Sequence, residues 1–324
     1  MQPNPTFIGI DISKLTLDIC QRQGTTKKHW VIENTPDAIL TFFKKLPGPA
    51  FIGMENTGCY NYHLYSVLAE IGLEYYVIPP LHLKKSLGLT RGKNDKIDAY
   101  RISMFLEANI KNLSFYIPSR PILIKLQVLL THREQRIKIR KQILAAQEQY
   151  QFIDGCDASL SAADRELMDL MDRQIKNIEA QMQSLVASDQ NLSVAYKLIT
   201  SVQGVGKVLA WTLLVSTREF EAIPSAKKLA CYAGVAPFDH SSGTSIRGRN
   251  RVSHYADKNL KRLLHLAAMS AIRLSGDLRN YYRRKVEEGK NKMSTLNAVR
   301  NKLIHRIYAV LRDKRPYQID LVMS

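Results

Sequence analysis

The sequence lacks the features that mark secreted, membrane-spanning or zinc-binding proteins. Its four cysteines are far apart among 324 residues and form no Cys-x-x-Cys pair, which argues against a disulfide framework or a zinc site. No run approaches 18 apolar residues, and no basic segment followed by a long apolar one opens the chain. We therefore expect no membrane span, no signal peptide and a soluble intracellular protein.

Acidic residues are scarce as well. The chain has 29 Asp and Glu against 47 Lys and Arg, a net charge of +18, with a sequence pI of about 9.7. Residues 241–315 alone carry 19 basic and five acidic side chains. So strong a positive charge favours a polyanionic partner. Because the basic residues alternate with polar and aromatic ones and not with long apolar runs, nucleic acid is favoured over a membrane surface.

The chain divides into three predicted domains, of class α/β plus α. Residues 1–118 predict three strands in an antiparallel meander, then helix, strand, helix, strand, helix, which gives a mixed sheet covered by helices. Residues 119–194 hold two long amphipathic helical patterns separated by "DGCDASLSAADR", which predict a coiled-coil arm. This arm either serves only as a spacer or also makes protein–protein contacts. Residues 195–324 predict a mostly helical, basic domain.

Four carboxylates of the first domain follow a suggestive pattern. Asp11 closes the strand "FIGID" and Glu55 closes the strand "FIGME", while Asp95 and Asp98 are three apart on a predicted helix. Such residues can converge above one sheet, where their mutual repulsion requires neutralising cations. Hard oxygen ligands suit Mg²⁺ or Mn²⁺. Each of these residues by itself is equally typical of a loop or a helix cap.

The segment "SVQGVGKV" predicts a tight turn between two helices. It is not a phosphate-binding P-loop, because Ser201 stands at the first glycine position and Val208 replaces the hydroxyl residue. A helix-hairpin-helix-like element fits better, with Gly204, Gly206 and Lys207 holding a nucleic-acid phosphate. The alternative is an ordinary turn between two core helices.

The stretch "HSSGTSIRGRNRVSH" combines serines with an arginine at every second position. Arg247, Arg249 and Arg251 suit either the charge that develops on a reacting phosphate or a backbone phosphate in a binding loop. A serine hydroxyl needs activation before it attacks phosphorus. The residues alone leave both interpretations open, and four serines compete for the role: Ser241, Ser242, Ser245 and Ser253.

A resemblance narrows these alternatives. The acidic pattern resembles the DEDD arrangement of RuvC/RNase H-like nuclease domains. "GIDISKLTLDI", "MENTGCY", "KNDKIDAYRIS" and "YAGVAPFDHSSGTSIRGRNRVSH" are similar, in order and over nearly the whole chain, to insertion-sequence transposases that use a structured bridge RNA. The resemblance implies an RNase H-like first domain whose metal ligands are Asp11, Glu55, Asp95 and Asp98. It also implies that Ser242, directly before Gly243, is the nucleophile.

The function that this resemblance implies is a DNA recombinase that moves its own mobile element in the bacterial cytosol or nucleoid. A noncoding bridge RNA would pair with target and donor DNA, and a homo-oligomer (dimer or tetramer) would combine the two domains of different subunits. Two alternatives stay open. One is a metal-dependent nuclease or junction resolvase without serine chemistry, and the other is a non-catalytic nucleic-acid-binding protein.

Overall fold

A computed structural model describes residues 5–46, 48–86, 94–150, 152, 158–242, 246–252 and 255–318. The chain forms two compact units, Met1–Pro118 and Ser119–Ser324. The predicted boundaries of the three domains stay predictions. The predicted arm and the predicted basic domain both lie in the second unit, and the division between them at residue 194 stays a prediction.

The first unit is a five-stranded mixed sheet with helices, as the sequence predicts. Its strands are β1 (Thr6–Ile12), β2 (Thr16–Gln23), β3 (Thr26–Glu33), β4 (Ala50–Glu55) and β5 (Tyr75–Ile78). Its helices are α1 (Pro36–Lys44), α2 (Tyr62–Glu70), α3 (Pro80–Ser86) and α4 (Asp95–Asn109), with short 3-10 turns at Gly58–Asn61 and Ile110–Asn112. The strand order is β3-β2-β1-β4-β5; β1 to β3 form the antiparallel meander, and β4 and β5 continue the sheet parallel to β1.

Successive side chains of β1 point to opposite faces of the sheet, and helices cover both faces. Ile8 and Ile10 of β1 are completely buried in one cluster with Ile39 of α1 and Leu64 of α2. The alternate residues Phe7, Gly9 and Asp11 lie on the other face, and Gly9 is covered by α4. In the described part of this unit, one helix is missing from the prediction. The chain continues as α3 after β5, since a proline is tolerated in the first turn of a helix.

The second unit is mainly helical. Its helices are α5 (Pro121–Tyr150), α6 (Ala158–Ala187), α7 (Gln190–Ser201), α8 (Lys207–Ser216), α9 (Ala226–Tyr232), α10 (Lys258–Arg273), α11 (Asp277–Glu287) and α12 (Lys292–Asp313). A two-stranded antiparallel sheet, β6 (Pro237–Ser242) and β7 (Ile246–Val252), stands where the sequence predicts the serine loop. The spacing of Arg247, Arg249 and Arg251, one at every second position, is the period of a strand and was the missed signal.

The two long helices α5 and α6 pack against each other in opposite directions. Three cross-helix contacts show this, because the partner number falls as the first number rises: Arg133 with Glu179 at 2.7 Å, Arg136 with Gln174 at 3.1 Å, and Arg140 with Asp172 at 2.8 Å. The predicted connection is too long, since α6 already begins at Ala158; residues 153–157 lie outside the described residues. That these helices form a true supercoil stays a prediction.

Only the base of this helical pair belongs to the core of the second unit. Leu126 of α5 and Met182 of α6 are completely buried in the cluster that surrounds Trp211. Farther out, large apolar side chains are exposed on both helices, among them Ile139 at 44%, Leu144 at 39% and Leu167 at 46%. Among the described residues, no helix is long and apolar enough to cross a membrane.

A half-buried carboxylate ties the base of the arm to α8. Glu179 accepts from Arg133 Nε at 2.7 Å and lies 2.6 Å from Lys207 Nζ. Burial by itself would raise its pKa, but these two hydrogen bonds lower the pKa of Glu179 below its usual value. The carboxylate form is therefore the one that the fold stabilises.

We expect Glu179→Gln to lower the free energy of unfolding by about 1 kcal/mol at pH 7, because two cations lose their shared partner. A carboxyl with a lowered pKa stabilises the fold above its unfolded pKa, and this contribution disappears as the pH falls through the folded value. The difference between wild type and variant should therefore vanish in acid. Urea unfolding at a series of pH values from 7 downwards measures it, and a difference that does not change as the pH falls would contradict the ionic origin.

Candidate active site

The two strand-end carboxylates stand at one edge of the N-terminal sheet. Asp11 lies near the end of β1 and Glu55 is the last residue of β4. These strands are parallel and paired in register, with Ile10 opposite Met54. Asp11 and Glu55 therefore occupy neighbouring positions where two parallel strands end, a common place for functional groups in sheets of this kind.

The other two carboxylates are supplied by the first turn of α4. Asp95 is the first residue of this helix and Asp98 follows one turn later. The helix begins there because the Asn94 side chain accepts a hydrogen bond from the Lys96 backbone N–H at 3.0 Å. Asp98 also receives a 2.8 Å hydrogen bond from Nη1 of Arg101.

The other three carboxylates act electrostatically on Asp11. The pKa of Asp11 is raised from 3.8 to about 6, first by burial and then by the negative charges of Asp95, Asp98 and Glu55. A 3.1 Å hydrogen bond from the Ile12 backbone N–H opposes the rise only in part. The four acidic residues that the sequence singled out thus interact through their charges, and their joint role at one site stays a prediction.

Two glycines let α4 lie directly on the sheet. A Cβ at Gly9 would stand 2.2 Å from the Ala99 carbonyl oxygen and 2.3 Å from the Ser103 backbone nitrogen. A Cβ at Gly53 would meet the Leu106 side chain, most closely its Cδ2 atom at 3.0 Å. The absence of a side chain at Gly9 therefore fixes how near the first turn of α4 comes to Asp11.

The carboxylates suit a hard divalent cation in ligand type and in charge, since their repulsion is relieved by positive charge. Within the described residues, however, no group of three or more Asp, Glu, His or Cys side chains is arranged to hold a metal ion. Asp98 is turned toward Arg101. A metal would therefore need side-chain rotation at this site.

A buried acid–histidine pair beside this site was missed by the sequence analysis. Asp18 of β2 lies opposite Asp11 in the strand register, so both occupy the same face of the sheet. Its carboxylate is buried and lies 3.0 Å from Nε2 of His29 on β3. The signal was available, because pairing the first two strands as a hairpin sets Asp18 across from Asp11.

The serine candidates lie on the hairpin of the second unit. Ser242 ends β6 opposite Ile246, and Ser241 pairs with Arg247. Arg249 and Arg251 follow along β7. Gly243, Ser245 and Ser253 lie outside the described residues, as do the side chains of 238–251. Which hydroxyl reacts therefore stays a prediction.

A polar chain of contacts fixes the segment that enters this hairpin. Asn297 of α12 donates to the Val235 carbonyl at 2.8 Å, just before β6 begins. Arg300, one turn later, is buried, and its guanidinium lies 3.4 Å from the Asn297 side-chain oxygen and 2.6 Å from Nδ1 of His265 on α10. Helices α10 and α12 thus determine where β6 starts.

The glycine turn between α7 and α8 serves packing first. Gly204 has φ +89°, and a Cβ there would meet the Ala267 carbonyl oxygen at 2.6 Å. Gly206 precedes α8 and has open space around it. Lys207 lies 2.6 Å from Glu179 and over the Trp211 ring. The predicted phosphate-binding role of Gly204, Gly206 and Lys207 stays a prediction, and Lys207 would have to share its charge with Glu179.

Comparison with known proteins defines the class. Residues 8–148 match the DEDD transposase model of the IS110 type, and residues 196–283 match the model described as "Transposase IS116/IS110/IS902 family". The first match covers most of the first unit and continues into α5, and the second lies within the second unit. The protein is thus a transposase, an enzyme class that cleaves and exchanges DNA strands. The chain belongs to the IS110/IS116/IS902 transposase family.

Individual relatives agree with this class. The chain is 26% identical to a pilin gene-inverting protein of Moraxella lacunata over 96% of its own length and 97% of that protein. It is 34% identical to the insertion element IS110 43.6 kDa protein of Streptomyces coelicolor, over 45% of this chain and 35% of that one. Thermus RuvC bound to a Holliday junction matches at 12% identity and TM-score 0.29, covering 35% of this chain and 99% of that one. At that score the RuvC match carries no weight.

Proposed function

We propose that this transposase cuts and rejoins DNA through Ser242, assisted by a divalent metal held by Asp11, Glu55, Asp95 and Asp98. The single observation that supports the proposal is that Asp11 and Glu55 stand where two paired parallel strands end, while α4, which carries Asp95 and Asp98 in its first turn, packs directly on β1. Carboxyl groups with perturbed pKa values cluster at active sites, where the repulsion between like charges serves the chemistry.

The chemistry is a transfer of a phosphoryl group to serine. The Ser242 oxygen forms a bond to phosphorus as the bond between phosphorus and a deoxyribose oxygen breaks, and that oxygen leaves with a proton as a free hydroxyl. A bound Mg²⁺ or Mn²⁺ supplies positive charge against the developing negative charge. Arg247, Arg249 and Arg251 hold the phosphate oxygens by charge-assisted hydrogen bonds. Attack by the free hydroxyl on a phosphoserine bond rejoins the strands.

The partners in this proposal are target and donor DNA, a structured guide RNA and further copies of the chain. The surplus of positive charge in residues 241–315 supports a large nucleic-acid surface. With an RNA guide, base pairing selects the sequence while the protein binds backbone and shape. The exposed apolar residues on the outer part of α5 and α6 support association of protomers through the arm, because packing them together removes them from water.

A covalent-adduct experiment tests the serine. Full-length protein, RNA transcribed from the noncoding part of its element and end-labelled DNA are incubated with Mg²⁺, denatured and separated by gel. We expect labelled DNA attached to wild-type protein, no adduct with Ser242→Ala, and a retained adduct with the matched control Ser241→Ala.

Other outcomes separate the alternatives. Free DNA ends made equally by wild type and Ser242→Ala would indicate a metal-dependent nuclease, for which the compact carboxylate unit is sufficient. Loss of the adduct in Ser241→Ala but not in Ser242→Ala would identify Ser241 as the nucleophile. Absence of cleavage with Mg²⁺ or Mn²⁺ would overturn the catalytic proposal in favour of a binding protein.

A further inference from the structure

A groove runs beside the carboxylates on the same face of the N-terminal sheet. It lies between the β2–β3 hairpin and α4, has a volume of about 420 Å³ and is bordered by Lys27, His29, Lys96 and Tyr100. Lys96 stands between Asp95 and Asp98 in the sequence of α4, and His29 is the partner of Asp18. The groove therefore begins where the carboxylate cluster ends.

The cations of this groove differ from the other cations on the same face. Arg22 is paired with Glu107 at 2.7 Å, and Arg101 with Asp98 at 2.8 Å. Among the residues that the structure describes, Lys27 and Lys96 form no ion pair. Two ammonium groups are thus left available for an anion beside an acidic cluster.

The aromatic residue in the groove holds cations. Lys27 Nζ lies 5.3 Å from the centre of the Tyr100 ring, and the Arg22 guanidinium carbon lies 5.4 Å from it. A cation near a ring face is attracted by the π electrons. Because the ring already carries these contacts, it orients Lys27 and is not offered to a base. The groove therefore suits a backbone phosphate, which carries no sequence information.

We propose that this groove binds the phosphate next to the scissile one, with Lys27 and Lys96 as its ligands. The proposal rests on the proposed function, since it takes the carboxylate cluster as the seat of the scissile phosphate. One strand then passes from a cationic site into an acidic one. The acidic cluster repels a phosphate unless metal is present, so the neighbouring phosphate in the groove holds the strand in register and sets its direction. Lys27 and Lys96 are positioning residues for the reaction.

The test compares two double variants of the full-length protein. Lys27→Gln/Lys96→Gln removes two of the three lysines that line the groove and leaves Lys28. Lys44→Gln/Lys111→Gln removes the same charge from exposed positions elsewhere in the unit. Binding of a single-stranded oligonucleotide is measured against salt concentration. We expect the groove variant to bind about tenfold more weakly than the control variant. The slope of log K against log salt should fall by about 0.7, for the one lost phosphate contact on a single strand.

A neutral phosphate makes the test local. Each oligonucleotide carries one methylphosphonate, placed at a different position along the strand, and each is compared with the unmodified strand. At one position the methylphosphonate should weaken binding to wild type and to the control variant but should not weaken binding to the groove variant any further, because the groove variant already lacks that contact. Equal losses in all three proteins at every position would overturn the proposal.

Binding and cleavage fail independently in this design. If the coupling is found but no cleavage or adduct forms, the groove stands and the proposed chemistry falls. If cleavage and adduct are normal but the groove variant binds as the control does, the groove proposal falls alone. Thermal unfolding of both double variants verifies that neither has lost its fold, since all four lysines lie at the surface or at the mouth of the groove.

Discussion

Replacing Gly9 by alanine is expected to displace α4 and to abolish metal binding at the carboxylate cluster. The new Cβ would stand 2.2 Å from the Ala99 carbonyl oxygen and 2.3 Å from the Ser103 nitrogen, both of them backbone atoms of the helix. No rotamer change relieves such a contact, so the helix itself must move away from β1. Overpacking of this kind costs about 3 kcal/mol, and the movement separates Asp95 and Asp98 from Asp11.

Gly53 provides the matched control. An alanine there meets the Leu106 side chain at 3.0 Å, and the end of a leucine can shift by a few tenths of an ångström. We expect the free energy of unfolding of Gly53→Ala to lie within about 1 kcal/mol of the wild-type value. We also expect this variant to bind Mn²⁺ with wild-type affinity. Urea unfolding, hydrogen exchange of the α4 amides and calorimetric Mn²⁺ titration measure the three proteins. If Gly9→Ala binds Mn²⁺ with wild-type affinity, the close packing of α4 on β1 is not what brings the carboxylates together.

The contrast between these glycines marks what the sequence could predict of the fold. Alternating apolar residues and turn signals were enough for the meander, the mixed sheet and the positions of Asp11 and Glu55 at strand ends. The i, i+3 spacing of Asp95 and Asp98 was enough to set them on one helix face. Neither pattern shows how closely α4 approaches β1, because that distance depends on a missing side chain in one element and on backbone atoms of another.

The sequence was less informative where a residue's role depends on its contacts in the folded structure. The serine segment was predicted as a loop from its Ser and Gly content, although its alternating arginines have the period of a strand. Lys207 looked available for phosphate, but its ammonium lies beside Glu179, which is 28 residues earlier and on another helix. The pairing of Asp18 with His29 required the register of β2 against β3. Periodicity alone specifies neither a strand register nor the packing of one helix against another.

The affinity of the cluster for Mn²⁺ is expected to fall steeply in mild acid. In the metal-free protein Asp11 titrates at about 6, chiefly because of burial and then because of the negative charge of Asp95. Below this pH a metal ion must displace a proton from Asp11, so affinity should fall by about tenfold per pH unit below pH 6 and level off above pH 7. Calorimetric titration with Mn²⁺ between pH 5 and pH 8 measures the change.

The same carboxyl group predicts an opposite trend for the stability of the metal-free protein. A folded pKa raised above the unfolded value of 3.8 means that Asp11 contributes stability below pH 4, and that this contribution is lost as the pH rises through about 6. Asp11→Asn cannot titrate, so the difference in melting temperature between wild type and this variant isolates the effect. Asp95→Asn removes the negative charge that has the largest effect on the pKa of Asp11. This variant should therefore lower the midpoint of the Asp11 titration measured by carboxyl NMR. The same midpoint in both proteins would mean that Asp95 does not act on Asp11, and the proposed metal site would fall with it.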